Sequence, residues 1–483
     1  MSGTVVVPPV ATEISGIAEA NAADDSVVPA GEGVAGPEIP ADEGAASGDG
    51  PVFVRGDGLP PTGGGGRRSL QDVWLPHLFS ESFVPYAPGK HVEIPIGAPG
   101  AVLSSNEHPY GPAPAAMRDL LADGVKTLFG RMRMEDKLPE AMSILGADGA
   151  IFRTLSESTR QYMDDYGPFA DAYAAYLGFG ITGAQVYVAS GCSQLIYKLI
   201  RATNPVMGGV MAFMPGFFMY PIGASAEDRP FHSVFLNDDL SYPFDRFMKE
   251  AEEVDPGLIF IDTPNNPTGG TVPKGWLMRL IEARLRHNGY VAVDEAYFDF
   301  RRGEDLTVLG LLGNYPNLIV LRSFSKFLGL AGGRLGFGIA APDSVAQTLF
   351  GRIKTPFEVA TTTVNLATYS LKPEAQGQLR CNALEVMRER ERLNQGLSVI
   401  HGITAFPSEA NFILIDVKGT GKTAAQVDAE LRRRDLYARP LPKNPRFVPP
   451  HISGRYELLR ISVGSPDQND QLLNALREIG ARS

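Results

Sequence analysis

The chain has 483 residues, 44% of them hydrophobic and 20% charged, with a formal net charge of -11. That is enough length for two domains and the balance of a soluble globular protein. The acidic surplus, with no dense basic cluster outside Arg432-Arg433-Arg434, argues against nucleic acid as a main partner.

Residues 1–68 are rich in Ala, Gly, Pro and Val, carry many carboxylates and include Gly63-Gly64-Gly65-Gly66. They lack the basic start and long apolar run of a secretory signal, and they read as a disordered tail. Residues 69–168 form an N-terminal arm with an inserted segment. Order is expected from Ser69–Trp74, with a turn-rich stretch at Asn106–Gly111 and a helix from Pro114 to Leu121. Residues 130–160 mix charge, Met and Gly without a clean period.

From 169 to 345 the pattern is α/β and forms a large domain. Helices are predicted at Phe169–Leu177, Ser193–Ala202 and Trp276–His287. Strands are predicted at Val186–Val188, Val210–Met214, Leu258–Ile261, Tyr290–Val293, Ile319–Leu321 and Leu335–Ile339. Short apolar strands alternating with helices point to a mostly parallel sheet covered on both faces. Residues 346–483 read as a smaller α+β domain, with charged helices at 378–396, 423–434 and 467–480 and strands at Phe412–Val417 and Leu459–Val463. Cys192 and Cys381 supply no disulfide framework, which suits a reducing, cytoplasmic compartment. The seven histidines show no metal-ligand spacing, and no stretch is apolar for long enough to cross a membrane.

Open α/β sheets bind ligands outside the carboxyl ends of their strands, and four turns fall there. Ala189-Ser190-Gly191-Cys192-Ser193 either exposes backbone N–H groups to a phosphate or is a plain strand-to-helix turn with a serine cap. Thr263-Pro264-Asn265-Asn266-Pro267-Thr268-Gly269 is a rigid turn able to aim one amide at a bound ring. Asp294, in Val291-Ala292-Val293-Asp294-Glu295-Ala296-Tyr297, ends a buried strand, where an acid needs a partner. A pyridinium nitrogen would serve, and so would a helix N-terminus. In Arg322-Ser323-Phe324-Ser325-Lys326, small and hydroxylated residues deliver one amine into a turn with Arg334 close behind. Weak solvation there suits a Schiff-base lysine.

In this order, the four turns closely resemble the fold-type I pyridoxal-phosphate aminotransferases, class I/II, and within them the histidinol-phosphate aminotransferase-like branch. The resemblance runs from about Leu103 to the C-terminus. It includes Asn106-Glu107-His108-Pro109-Tyr110-Gly111-Pro112, Pro215-Gly216-Phe217-Phe218-Met219-Tyr220 and Leu459-Arg460-Ile461-Ser462-Val463-Gly464. It implies a fold-type I α/β transferase with pyridoxal 5'-phosphate as cofactor and no metal. Lys326 would form the internal aldimine and shuttle the proton, and Asp294 would pair with the ring nitrogen. Asn266 and Tyr297 would meet the ring hydroxyl oxygen, and Phe217 would stack on the ring. Gly191, Cys192, Ser323 and Arg334 would form the phosphate cup, and Arg460 would clamp the substrate carboxylate. Tyr162 would reach the phosphate of a neighbouring subunit, which implies a homodimer with shared active sites.

The expected reaction is ping-pong transamination of an α-amino acid through a quinonoid intermediate. The alternative is a non-transaminating enzyme of specialised metabolism. That enzyme would either form a C–C bond after γ-elimination from S-adenosylmethionine or oxidise an amino acid. Phenylalanine at 217 instead of the branch's usual tyrosine, cysteine at 192, and extensions at 130–160 and 440–457 are the departures behind it. A regulator holding a silent enzyme fold would need a DNA-binding domain, and the acidic tail does not resemble one. Gly419-Thr420-Gly421-Lys422-Thr423 imitates the end of a nucleotide-binding loop. The full pattern needs glycine at 416, where this chain has Asp416, so a helix start is the better reading.

Overall fold

A computed structural model describes residues 166–203, 209–301, 307–355 and 357–481, together with the backbone of Ala101–Val102 (β1). The tail at 1–68, the Asn106–Pro112 stretch, the helix expected at 114–121, the 130–160 segment and Tyr162 lie outside the described residues. The described residues belong to one compact unit within Arg68–Ser483.

Seven strands build the main sheet: β2 (Val186–Ala189), β3 (Val210–Met214), β4 (Phe231–Phe235), β5 (Leu258–Asp262), β6 (Tyr290–Asp294), β7 (Leu318–Ser323) and β8 (Gly336–Ala340). Their order is β2-β8-β7-β6-β5-β3-β4. The run from β7 to β4 is parallel, and β8 runs antiparallel to both its neighbours. Alternate side chains of each apolar strand go to opposite faces, so a continuous apolar run feeds two cores. Met211, Ile259, Val291 and Val320 pack with Trp276 and Leu280 of α5 (Lys274–Arg286) and with Phe247 of α4 (Phe244–Val254). Val210, Phe260, Ala292 and Ile319 pack with Leu195 and Ile196 of α2 (Cys192–Ala202) and with Tyr220 of α3 (Met219–Ala226). The remaining helix of this region, α1 (Gly167–Leu177), adds Phe169 and Tyr173 to the first core.

After α6 (Val345–Ile353) and α7 (Thr361–Ser370), a second sheet has the order β12-β13-β10-β9. Its strands are Arg439–Pro440, Leu458–Ser462, Phe412–Asp416 and Thr404–Ala405, respectively. A two-residue strand, β11 (Leu436–Tyr437), pairs in parallel with β1. The long α8 (Pro373–Ser398), α9 (Ala424–Arg432) and α11 (Pro466–Ala481) cover the sheet with Leu393, Leu431 and Leu476. The 418–423 segment is a short 3-10 turn followed by α9, whose start is closed by a reciprocal Thr423–Gln426 cap. It behaves as a helix start, as expected from Asp416.

β2, β5, β6 and β7 extend one or two residues beyond the apolar runs at their carboxyl ends. The parallel ladder pairs Asp262 with Asp294, and Asp294 with Leu321. Polar residues at the carboxyl ends are thus strand residues, held to the accuracy of the sheet. The edge strand β4 was not apparent from the sequence because it is only half-buried and carries His232 and Ser233 within it. Among the described residues no helix is long and apolar enough to cross a membrane.

Candidate active site

The carboxyl ends of β5, β6 and β7 and the start of α2 converge on one place. β6 ends at Asp294, which is 4% exposed. Its Oδ2 accepts from the Tyr220 hydroxyl at 3.1 Å and its Oδ1 from the Ala296 N–H at 3.1 Å. These described partners include no basic side chain, and burial pushes the carboxyl up to about 6. Asp294 does not cap a helix: the 3-10 turn that follows starts at Phe298, with Tyr297 before it. It accepts a local backbone N–H, and its other oxygen is bound to a buried tyrosine that the sequence reading left without a role.

Beyond β5 the two asparagines divide the work. Asn265 is fully buried and braces the turn. Its Oδ1 accepts from Thr268 N at 3.0 Å and Oγ1 at 2.7 Å, and its Nδ2 donates to Asp262 at 3.0 Å and to the Pro215 carbonyl at 3.2 Å. Asn266 turns its amide outward. Its Nδ2 donates to the Tyr297 hydroxyl at 3.4 Å, and its Oδ1 accepts from Arg460 Nη1. Lys326, half-buried in the turn after β7, has its Nζ 5.8 Å from the centre of the Tyr297 ring. The Tyr297 ring stands edge-on to Phe412 at 5.2 Å, and the Arg460 guanidinium lies 5.3 Å over that same phenyl ring.

Arg460 occupies β13 directly opposite Arg439 on β12. Directly opposed antiparallel residues share a face, so two guanidinium-bearing residues stand on one side of the small sheet. Arg439 carried no role in the sequence reading. Arg460 was legible from its motif, but its pairing partner required the register.

The phosphate-cup candidates also come together. Gly191 caps α2 with φ +83, and a Cβ added to it would lie 2.5 Å from Arg334 Nη2. Only glycine lets the guanidinium close over this turn. Cys192 opens α2, with its thiol donating to the Arg322 carbonyl at 3.0 Å and close to Ser323. Burial pushes the thiol far above its ordinary range, so it behaves as a small buried neutral group. The helix starts at Cys192, one residue earlier than expected, and its N-cap is Gly191 with no side-chain cap. The serine-capped alternative is therefore set aside. Phe217 is half-buried, edge-on to Tyr220 at 5.7 Å. The 440–457 extension reaches the same neighbourhood. Phe447 stacks on Phe218 at 5.0 Å, Arg446 Nη2 meets the Pro221 carbonyl at 3.4 Å, and α10 (Pro450–Arg455) follows.

A glycine turn at a helix N-terminus under a guanidinium, a buried acid with no basic partner among the described residues and a lysine beside Tyr297 fit a ring bearing a phosphate, a basic nitrogen and an aldehyde.

Comparisons agree with that chemistry. The family model for aminotransferase class I and II matches residues 150–476. A histidinol-phosphate aminotransferase of Thermoanaerobacter pseudethanolicus is 33% identical over 301 residues, covering 62% of this chain and 79% of its own. One from Thermobifida fusca is 29% identical over 394 residues, covering 81% and 94%. The structure of the Sinorhizobium meliloti histidinol-phosphate aminotransferase in complex with pyridoxal-5'-phosphate has TM-score 0.62 and 21% identity. It covers 79% of this chain and 92% of that one.

Proposed function

The chain belongs to the aminotransferase class I and II family, in its histidinol-phosphate aminotransferase-like branch, and on that premise we propose that it moves the amino group of an α-amino acid to an oxo acid. It is a transferase that uses pyridoxal 5'-phosphate, whose protonated ring, when bound, supplies the electron sink for a carbanion at the substrate Cα. The observation that carries the reading is the buried Asp294 carboxylate, held by Tyr220 and Ala296 and lacking a described basic partner.

In this reading Asp294 would face the ring nitrogen and favour its protonated form. Lys326 would hold the cofactor through its aldehyde, and its amine would be the group placed to carry the substrate proton. Asn266 and Tyr297 would offer an amide and a hydroxyl to the ring oxygen, and Phe217 would cover a ring face. Gly191, Cys192, Ser323 and Arg334 would enclose the phosphate, where a guanidinium's fork suits its oxygens. Arg460 orients the substrate through an anionic group, and Arg439 across the strand pair adds a second positive charge to that face. The similarity to enzymes named histidinol-phosphate aminotransferase supports a substrate with an anionic end.

Further parts of the reading are a homodimer, with Tyr162 serving the neighbouring subunit's phosphate, and a cytoplasmic location. Free Cys192 and Cys381 support the location. Mixing Lys326→Ala and Tyr162→Phe subunits should restore activity by forming one intact site per mixed dimer. Cell fractionation tests the location.

Single-turnover reaction with candidate amino donors tests the chemistry. Accumulation of the aminated cofactor together with an oxo acid supports transfer. Peroxide release or loss of a γ-substituent overturns it.

A further inference from the structure

A second buried acid stands at the end of β5, unused by the reaction as described. Asp262 is 6% exposed and lies opposite Asp294 in the parallel ladder. Its Oδ1 accepts from Asn265 Nδ2 at 3.0 Å and its Oδ2 from the Asn266 backbone N–H at 2.9 Å. The titratable groups around it are Asp294 on β6, Tyr220 on α3 and Tyr242 ahead of α4, none of them basic. Burial, and after it the charge of Asp294, pushes the carboxyl up to about 7.

A carboxylate in such a place is costly, and an amide of the same shape costs less. The two donors explain what an amide cannot do. They arrive at different oxygens, and only a carboxylate can accept at both. An asparagine would turn its own NH2 toward one of the two donors. One of those donors is the backbone of Asn266, the residue whose side chain reaches both Tyr297 and Arg460. Functional groups lose their effect when displaced by about half an ångström, so the anchor of this turn has leverage on the site.

We propose that Asp262 is a positioning residue for amino transfer: its carboxylate clamps the Asn265–Asn266 turn and so holds the Asn266 amide between the Tyr297 hydroxyl and the Arg460 guanidinium. This rests on the functional reading above, in which Asn266 and Tyr297 meet the ring oxygen.

The test compares wild-type, Asp262→Asn and Asp262→Ser holoenzymes. It reads the near-visible absorption band of the lysine-bound cofactor against pH, and the thermal midpoint of each apo form at pH 8. The expected result is a displacement of the band's pH midpoint by at least about half a unit in both variants. The apo Asp262→Asn midpoint should be no lower than wild type, because a buried charge has been removed. An unchanged band midpoint overturns the proposal. So does a displaced midpoint accompanied by loss of apo stability in both variants, or failure of both to fold, since Asp262 then serves the fold alone. Absence of the band in wild type itself defeats the underlying functional reading, an outcome distinct from a variant that leaves a normal band unmoved.

Discussion

Asp294 and Glu295 are adjacent in the chain and equally inaccessible, yet their surroundings are opposite. Glu295 Oε2 meets Arg322 Nη2 at 2.8 Å and Thr307 Oγ1 at 2.8 Å, while its Oε1 accepts from Val308 N at 3.0 Å. Arg322 lies over the Phe298 ring at 4.3 Å and faces Asp299 at 3.7 Å. That region is neutralised from within. Asp294 has a hydroxyl and an N–H, and beside it stands the second carboxylate, Asp262. A carboxylate satisfied by the fold belongs to the fold. Asp294, with no charged partner among the described residues, fits a cation that arrives with a ligand.

The largest effect should come from Lys326→Ala, with loss of the near-visible cofactor band and a fall in turnover of about a thousandfold or more. A surviving band, read by absorbance, removes the lysine from its assigned role. Next, the adjacent acids should separate function from stability. Asp294→Asn should cost about a hundredfold in turnover while leaving the apo protein at least as stable. Glu295→Gln should lower unfolding free energy by about 3–5 kcal/mol, because Arg322 is left buried with a weakened partner. Chemical denaturation and steady-state kinetics of the two variants decide this. If Glu295→Gln is the more severe in turnover and Asp294→Asn in stability, the contrast is wrong. A smaller effect is expected for Arg460→Lys, with KM for the amino donor raised roughly tenfold through loss of one charge-assisted bond of about 1.5 kcal/mol.

The smallest effect is a pH dependence of apo stability. The carboxyls of Asp262 and Asp294 are raised to about 7 and about 6. A carboxyl whose folded pKa lies above its unfolded value gives its full stability below about pH 4, and that stability is lost as pH rises through the folded pKa. The thermal midpoint of apo wild type should therefore fall relative to apo Asp262→Asn between about pH 4 and pH 7. A difference that stays constant or narrows across that window, measured by calorimetry, contradicts the burial argument.

Much of the site was legible because chemistry and local spacing sit close together in the chain. Lys326 follows an apolar strand, Asp294 ends another, and Asn266 lies in a proline-bounded turn. Asp262 obeys the same rule as Asp294, but the apolar run before it ends at Ile261 and the asparagines of the turn after it carry the more visible chemistry. Tyr220 lies in the Pro215–Tyr220 motif, but its hydroxyl acquires a role only from a carboxylate 74 positions away. Arg439 and Arg460 are opposed only through the register of β12 with β13.

The chain's own order of residues determined the alternation of apolar strands and amphipathic helices, the family, and the individual groups fit for a phosphate-bearing aldehyde. These follow from periodicity and functional-group chemistry, which are local. Tertiary structure alone decided that Asp262 stands beside Asp294, that Glu295 is neutralised while its neighbour is not, and that Asn266 bridges Tyr297 and Arg460. Charge balance and hydrogen-bond satisfaction depend on distance in space, and distant segments acquire a common distance only when the sheet has set their register.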